Sequence, residues 1–211
     1  MAKIKNILYD LGGVIVDLDA QHNIEAFKRL GMPEIAELIN PYHPAGMIGE
    51  LEHGDITFHE MCDKMRQVTG REEVTDQQIS DAYNAFLMGI EDWKLPSILE
   101  MRRRGFKTYV LSNNNPMSMQ SIREMFRRDG LEMEDYFDGI YLSYELHLLK
   151  PHKEIYEKII ELSGIRPEET LFIDDSDTNV NVARELGFAV YMPAVREDFR
   201  PIFENLELEA E

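Results

Sequence analysis

Leu171-Phe172-Ile173-Asp174-Asp175-Ser176 is an apolar run that opens into two adjacent carboxylates. Like charges held close repel and disturb each other's protonation, so such a pair calls for a positive partner, and a hard divalent cation is the natural one. A second apolar run ends the same way near the start of the chain, in Ile7-Leu8-Tyr9-Asp10-Leu11-Gly12-Gly13-Val14. Short apolar runs bounded by turn residues read as buried strands, and Gly12-Gly13 permits a tight turn close to a ligand. Two such strands lying parallel in one sheet bring their acids together.

Around these runs the chain divides into two patterns. Strand 5–10 comes first, and from Leu95 onward helix and strand alternate: helix 95–104, strand 107–112, helix 117–129, strand 139–142, helix 152–163, strand 170–174, helix 177–186 and strand 188–191. Strands separated by helices imply right-handed crossovers and a parallel sheet covered on both faces. From about 20 to 92 only helical signals occur: 21–30 stopped by Gly31 and Pro33, 34–40, 44–53, 57–69 capped by Thr57 and closed by Gly70, and 76–89. The expected architecture is an α/β, Rossmann-like three-layer core formed by 1–19 and 93–211, with an all-helical unit, 20–92, inserted after the first strand. The acidic tail 204–211 reads as a fraying helix end.

The 211 residues suit one core domain with a smaller insert, burying about 70 to 75% of the unfolded surface. Forty Asp and Glu against 22 Lys and Arg give a formal charge of −18, which opposes binding to nucleic acid and to anionic membrane surfaces. Screening over about 8 Å at physiological salt still lets a metal and one lysine dominate a cleft, so phosphate esters remain admissible. One cysteine, Cys62, precludes an internal disulfide, and its spacing with Phe58, Met61 and Met65 is that of a packed helix face. With no apolar leader in Met-Ala-Lys-Ile-Lys-Asn and no run of about 20 apolar residues, the expectation is a reduced, cytoplasmic protein.

Every polar cluster falls beyond the carboxyl end of an expected strand, where open parallel sheets bind ligands. Asp10 ends the first, Ser112-Asn113-Asn114-Asn115 the second, Lys150 follows the third by a loop, and Asp174-Asp175 end the fourth. Taken singly, Asp10 can cap the turn at Gly12, the Ser-Asn-Asn-Asn stretch can be a turn, and Lys150 can be a surface lysine, though Pro151 limits where it points. Taken together, their order and chemistry resemble the haloacid dehalogenase (HAD) superfamily, whose four motifs are a nucleophilic Asp, a Ser or Thr, a Lys and a pair of acids. The resemblance spans nearly the whole chain, with 20–92 in the place of a helical type-1 cap. It implies a Mg2+-dependent phosphatase that hydrolyses a small phosphate monoester through an aspartyl phosphate on Asp10. Ser112 and the main-chain N–H of Asn113 would hold the phosphoryl oxygens, and Lys150 would neutralise their charge. Asp10, the Gly12 carbonyl and Asp175 would hold Mg2+, with Asp174 at second remove or through water and Asn179 tying the loop to that shell or capping the helix.

Gly12 stands where most family phosphatases carry a second Asp, the proton donor to the leaving group and base toward water. Such help is worth roughly 10² to 10⁴ in rate. Its absence points to a leaving group that needs little protonation, as in a sugar-1-phosphate, or to a proton from the insert. Glu50, Glu52 and His53, in Gly-Glu-Leu-Glu-His-Gly-Asp-Ile-Thr, are the residues expected to meet substrate there, His53 titrating near neutrality. Two alternatives stand beside this reading. A metal-free 2-haloacid dehalogenase expels halide without a proton, although by resemblance its fourth motif lacks the paired acids. A binding module can keep the fold without turnover. His147 and His152 stand where relatives often have Gly and an acid, His22 lies near the insert entrance, and Trp93 at its return reads as a packing residue.

Overall fold

The computed structural model describes residues 3–38, 46–204 and 206. Strand β1 (Asn6–Tyr9) is followed by the two-residue strand β2 (Asp17–Leu18) and five helices, α1 (Ala20–Arg29), α2 (Pro33–Leu38), α3 (Gly46–His53), α4 (Phe58–Thr69) and α5 (Asp76–Asn84). Next comes β3 (Leu87–Gly89), and then α6 (Lys94–Arg103), β4 (Lys107–Ser112), α7 (Pro116–Phe126) and the single turn α8 (Met133–Tyr136). The chain continues through β5 (Gly139–Leu142), the single turn α9 (Ser143–Leu146), α10 (Lys153–Ser163), β6 (Thr170–Ile173), α11 (Asp177–Glu185) and β7 (Ala189–Tyr191).

Five strands form one parallel sheet in the order β5-β4-β1-β6-β7. The apolar runs form its centre because both faces are covered: Ile7 and Tyr9 pack on one side with Val110, Ile122 and Phe126, while Leu8 packs on the other with Leu111, Tyr156 and Phe172. Ile7 and Leu8 are fully buried, worth about 1.5–3 kcal/mol each. The chain steps from β1 to β4 and β5 on one side and returns to β6 and β7 on the other. Strand order therefore reverses at β1, and a crevice opens at its carboxyl end.

The inserted helices bury a separate apolar cluster, including Phe27, Ile35, Leu51, Met61, Cys62, Met65 and Ile79. Their ends follow local chemistry. Thr57 with Glu60 and Thr75 with Gln78 form capping boxes at α4 and α5, and Gly70 closes α4 at a φ of 67°. Cys62 is buried, and burial pushes its thiol up to about 12, as suits packing rather than attack.

Two expected elements differ. Helix 76–89 stops at Asn84, because Leu87–Gly89 pairs antiparallel with Asp17–Leu18 and Asp19 N–H donates to the Phe86 carbonyl at 2.9 Å. The segment 20–92 thus includes one strand of a small ribbon as well as helices. Helix 117–129 stops at Phe126, since Asp129 and Gly130 take φ values of 54° and 81° in a turn that bridges Arg128 to Leu131. The single turns α8 and α9 were not expected at all. The ends at 39–40 and 44–45 and most of the tail at 204–211 lie outside the described residues. Among the described residues, no helix is long and apolar enough to cross a membrane.

Candidate active site

At the mouth of the crevice a buried lysine joins two strand ends. Lys150 Nζ lies 2.8 Å from Asp10 Oδ2 and 2.6 Å from Asp174 Oδ2. Asp174 is fully enclosed: besides Lys150 it accepts from Asn179 Nδ2 at 3.0 and 3.1 Å and from the Ser176 N–H at 2.9 Å. Asp175 is only half-buried and faces the cavity that Asp10 lines. Burial pushes Asp10 up to about 7 against the pull of Lys150, with Asp174 and Asp175 adding to the rise. Burial and then the Asp174 charge raise Asp175 to about 6, opposed by Lys150. Burial alone would drive Lys150 down, but the two carboxylates beside it hold it above its ordinary value.

Burial is the largest cause of both carboxylate rises, and a further positive charge beside them would oppose it. Oxygens of Asp10, Asp174 and Asp175 lie within 4.8 Å of one another. Gly13 completes the cradle: it sits at a φ of 74°, and a Cβ there would fall inside the Asp175 carboxylate. An all-oxygen, anionic donor set of this kind fits a hard divalent cation such as Mg2+. Gly12 lines the same cavity.

The segment after β4 is held to Lys150 by backbone chemistry. The Asn113 side chain donates from Nδ2 to the Lys150 carbonyl and accepts from its N–H, both at 2.9 Å. That leaves the Asn113 main chain, not its amide, to meet a ligand. Ser112 is buried, and its hydroxyl makes only a long 3.4 Å contact with the Asn113 carbonyl. Asn115 caps α7 by accepting from the Ser118 N–H at 2.9 Å.

The cavity above these groups has a volume of about 300 Å³ and is closed on the far side by α1, α3 and α5. Glu52 enters it from the last turn of α3, beside Ile48 and Tyr83. His53 and Glu50, also expected to meet substrate, are not among the residues that line it. His53 Nδ1 pairs with Asp55 Oδ1 at 2.9 Å, and the His53 carbonyl meets His147 Nδ1 at 3.1 Å, so the ring lies at the outer rim. Glu50 is taken by Lys64. His22 is exposed beside Asp19, and Trp93 packs edge-on against Phe199 at 5.0 Å. Burial lifts Glu52 to about 7, with Asp10 raising it further and Lys150 opposing.

Sequence reasoning did not identify Asn23, Ser143 or Arg196. Asn23 of α1 is buried in the cavity wall, and its Oδ1 has no partner among the described residues. Ser143 donates to the Glu52 carbonyl at 2.6 Å and accepts from the Asn114 N–H at 3.0 Å. Arg196, exposed at the mouth, holds a φ of 56°. Asn23 and Arg196 lie away from the strand ends, and Ser143, though it directly follows β5, stands there alone rather than in a polar cluster.

A family model for haloacid dehalogenase-like hydrolases matches residues 4–187. D-ribitol-5-phosphate phosphatase of Bacteroides thetaiotaomicron is 37% identical over 93% of this chain and 95% of its own. A HAD family enzyme of the same organism, solved as a point mutant with magnesium and inorganic phosphate, superposes with a TM-score of 0.92 at 40% identity, covering 95% of this chain and 98% of that one. An L-2-haloacid dehalogenase of Xanthobacter autotrophicus shares the fold, with a TM-score of 0.63 at 19% identity over 98% of this chain and 85% of that one.

Proposed function

The chain belongs to the haloacid dehalogenase-like hydrolase family, and on that premise we propose that it is a Mg2+-dependent phosphatase of small phosphate monoesters. The observation that carries this reading is Lys150, buried between Asp10 and Asp174 while Asp175 faces the cavity. Asp10 attacks phosphorus, the ester P–O bond breaks, and water then cleaves the aspartyl phosphate. The Ser112 hydroxyl and the Asn113 N–H bind phosphoryl oxygens, and Lys150 offsets their charge while aligning the Asp10 carboxylate. Asp10, Asp175 and the Gly12 carbonyl would hold Mg2+, with Asp174 orienting the loop from behind. Bound there, Mg2+ supplies further charge neutralisation at the phosphoryl group.

In the same reading 20–92 acts as a cap over a core of 1–19 and 93–211, supported by the separate apolar cluster of the helices. A sugar or polyol phosphate is the substrate class, supported by the activity named for the Bacteroides phosphatase and by the neutral amide of Asn23 in the wall. A buried, unpaired Cys62 is consistent with a reducing, cytoplasmic setting. A metal-free dehalogenase would leave the acids around Lys150 short of positive charge, which disfavours that alternative.

The test is a panel of polyol phosphates, sugar-1-phosphates, aryl phosphates and 2-haloacids, with and without Mg2+. Phosphate release that needs Mg2+ is expected. Halide release, or phosphate release indifferent to chelation, would contradict the proposal.

A further inference from the structure

We propose that Glu52, carried across the cleft by α3, is the general acid and base of this site, standing in for the carboxylate that position 12 lacks. The assignment rests on the phosphatase reading and adds to it a catalytic residue from the cap. Gly12 itself offers no carboxylate, and a Cβ there would lie 3.0 Å from Leu18 Cδ1, which would have to give by a few tenths of an ångström. Among the described residues, the carboxylates lining the cavity are Asp10, Asp17, Glu52 and Asp175. Asp17 is bound by Lys94 at 2.6 Å, Asp10 is the nucleophile, and Asp175 belongs to the metal cluster. Glu52 remains.

Its position is fixed from the phosphate side. Ser143 ties the Glu52 carbonyl to the Asn114 N–H, so the end of α3 is anchored to the same segment that carries Ser112 and Asn113. The charged and titratable groups facing Glu52 are Asp10 after β1, Lys150 before α10, and Tyr83 of α5. On the neighbouring elements Lys64 of α4 is engaged by Glu50, and His53 by Asp55. The apolar wall of Ile48 and Tyr83 favours a neutral carboxyl near pH 7, the state a proton donor needs.

The steps balance. As Asp10 Oδ bonds to phosphorus, the P–O(R) bond breaks and its electron pair goes to the leaving oxygen, which takes the Glu52 proton and departs as alcohol. Glu52, now a carboxylate, takes a proton from water as the water oxygen bonds to phosphorus. The P–O(Asp10) bond breaks, phosphate leaves, and Glu52 is protonated again for the next turn.

The test compares glycerol 3-phosphate with 4-nitrophenyl phosphate at saturating Mg2+, using wild type, Glu52→Gln and Glu52→Ala. Glu52→Gln is expected to lower kcat on the alkyl ester by about 10² or more. On the aryl ester it should give a rapid burst of one nitrophenol per site and then slow turnover, because the first leaving group needs no proton but the water step still needs a base. Wild-type kcat on the alkyl ester should fall above about pH 7, a limb absent in Glu52→Gln, and formate should partly restore Glu52→Ala. Unchanged alkyl turnover in Glu52→Gln, or equal losses on both esters with neither burst nor formate rescue, would overturn the assignment alone. A wild type silent on both esters would overturn the phosphatase reading and this assignment with it.

Discussion

Gly13 is where one missing side chain matters most. Its φ of 74° and the Asp175 carboxylate against it leave no place for a methyl group. Gly13→Ala adds about 1–2 kcal/mol of backbone strain and displaces Asp175 from the cluster it shares with Asp10. Turnover should fall at least tenfold and the Mg2+ concentration for half-activation should rise, as read from a magnesium titration of phosphate release. An alanine variant with an unaltered titration would show that Asp175 does not hold the cation. Residues of this kind were legible in the sequence because Asp10, Ser112, Asp174 and Asp175 lie at or just past strand ends, where the chain's direction fixes their side chains. Asn23 was not legible, since an asparagine on a helix means little until the helix is placed. His147 is a third case. The resemblance implied glycine there, and its φ of 52° is a backbone conformation that favours glycine.

Among the elements, α9 is a single turn, yet it links the inserted helices to the phosphate-side segment. Its Ser143 hydroxyl is shared between the Glu52 carbonyl and the Asn114 N–H. Ser143→Ala removes both bonds, each worth about 1 kcal/mol net, where the end of α3 meets the segment after β4. KM for an alkyl phosphate should rise several-fold and kcat should fall, while the thermal midpoint drops by only a few degrees. If KM and kcat both hold at wild-type values, the link is structural decoration and α3 is positioned by packing alone. The long helices could be read in advance because their period is sustained over several turns, and the sheet strands because they are apolar runs bounded by turn residues that alternate with those helices. The turns α8 and α9 are too short to establish a period, and β3 lies in Ala-Phe-Leu-Met-Gly-Ile, an apolar run that helix and strand accommodate equally well. Only its pairing with β2, remote in sequence, decides it.

At the scale of the molecule, a formal charge of −18 surrounds a site proposed to bind an anion. The contradiction dissolves because charge acts locally: Lys150 is buried against Asp10 and Asp174, and a cation at Asp175 would complete the positive side of the cleft. The core architecture was readable from the alternation of elements. The shape of the cavity was not, because it forms between the sheet and helices that belong to a different stretch of the chain. The proposed mechanism has an Asp10 carboxylate oxygen bond to phosphorus, and one measurement addresses that directly. Wild-type protein with Mg2+ and an alkyl phosphate is quenched during turnover, reduced with borohydride and sequenced by mass spectrometry. The account predicts homoserine at position 10, the reduction product of an aspartyl phosphate. Active enzyme that yields unmodified Asp10 throughout turnover, or homoserine only at another carboxylate, would contradict it.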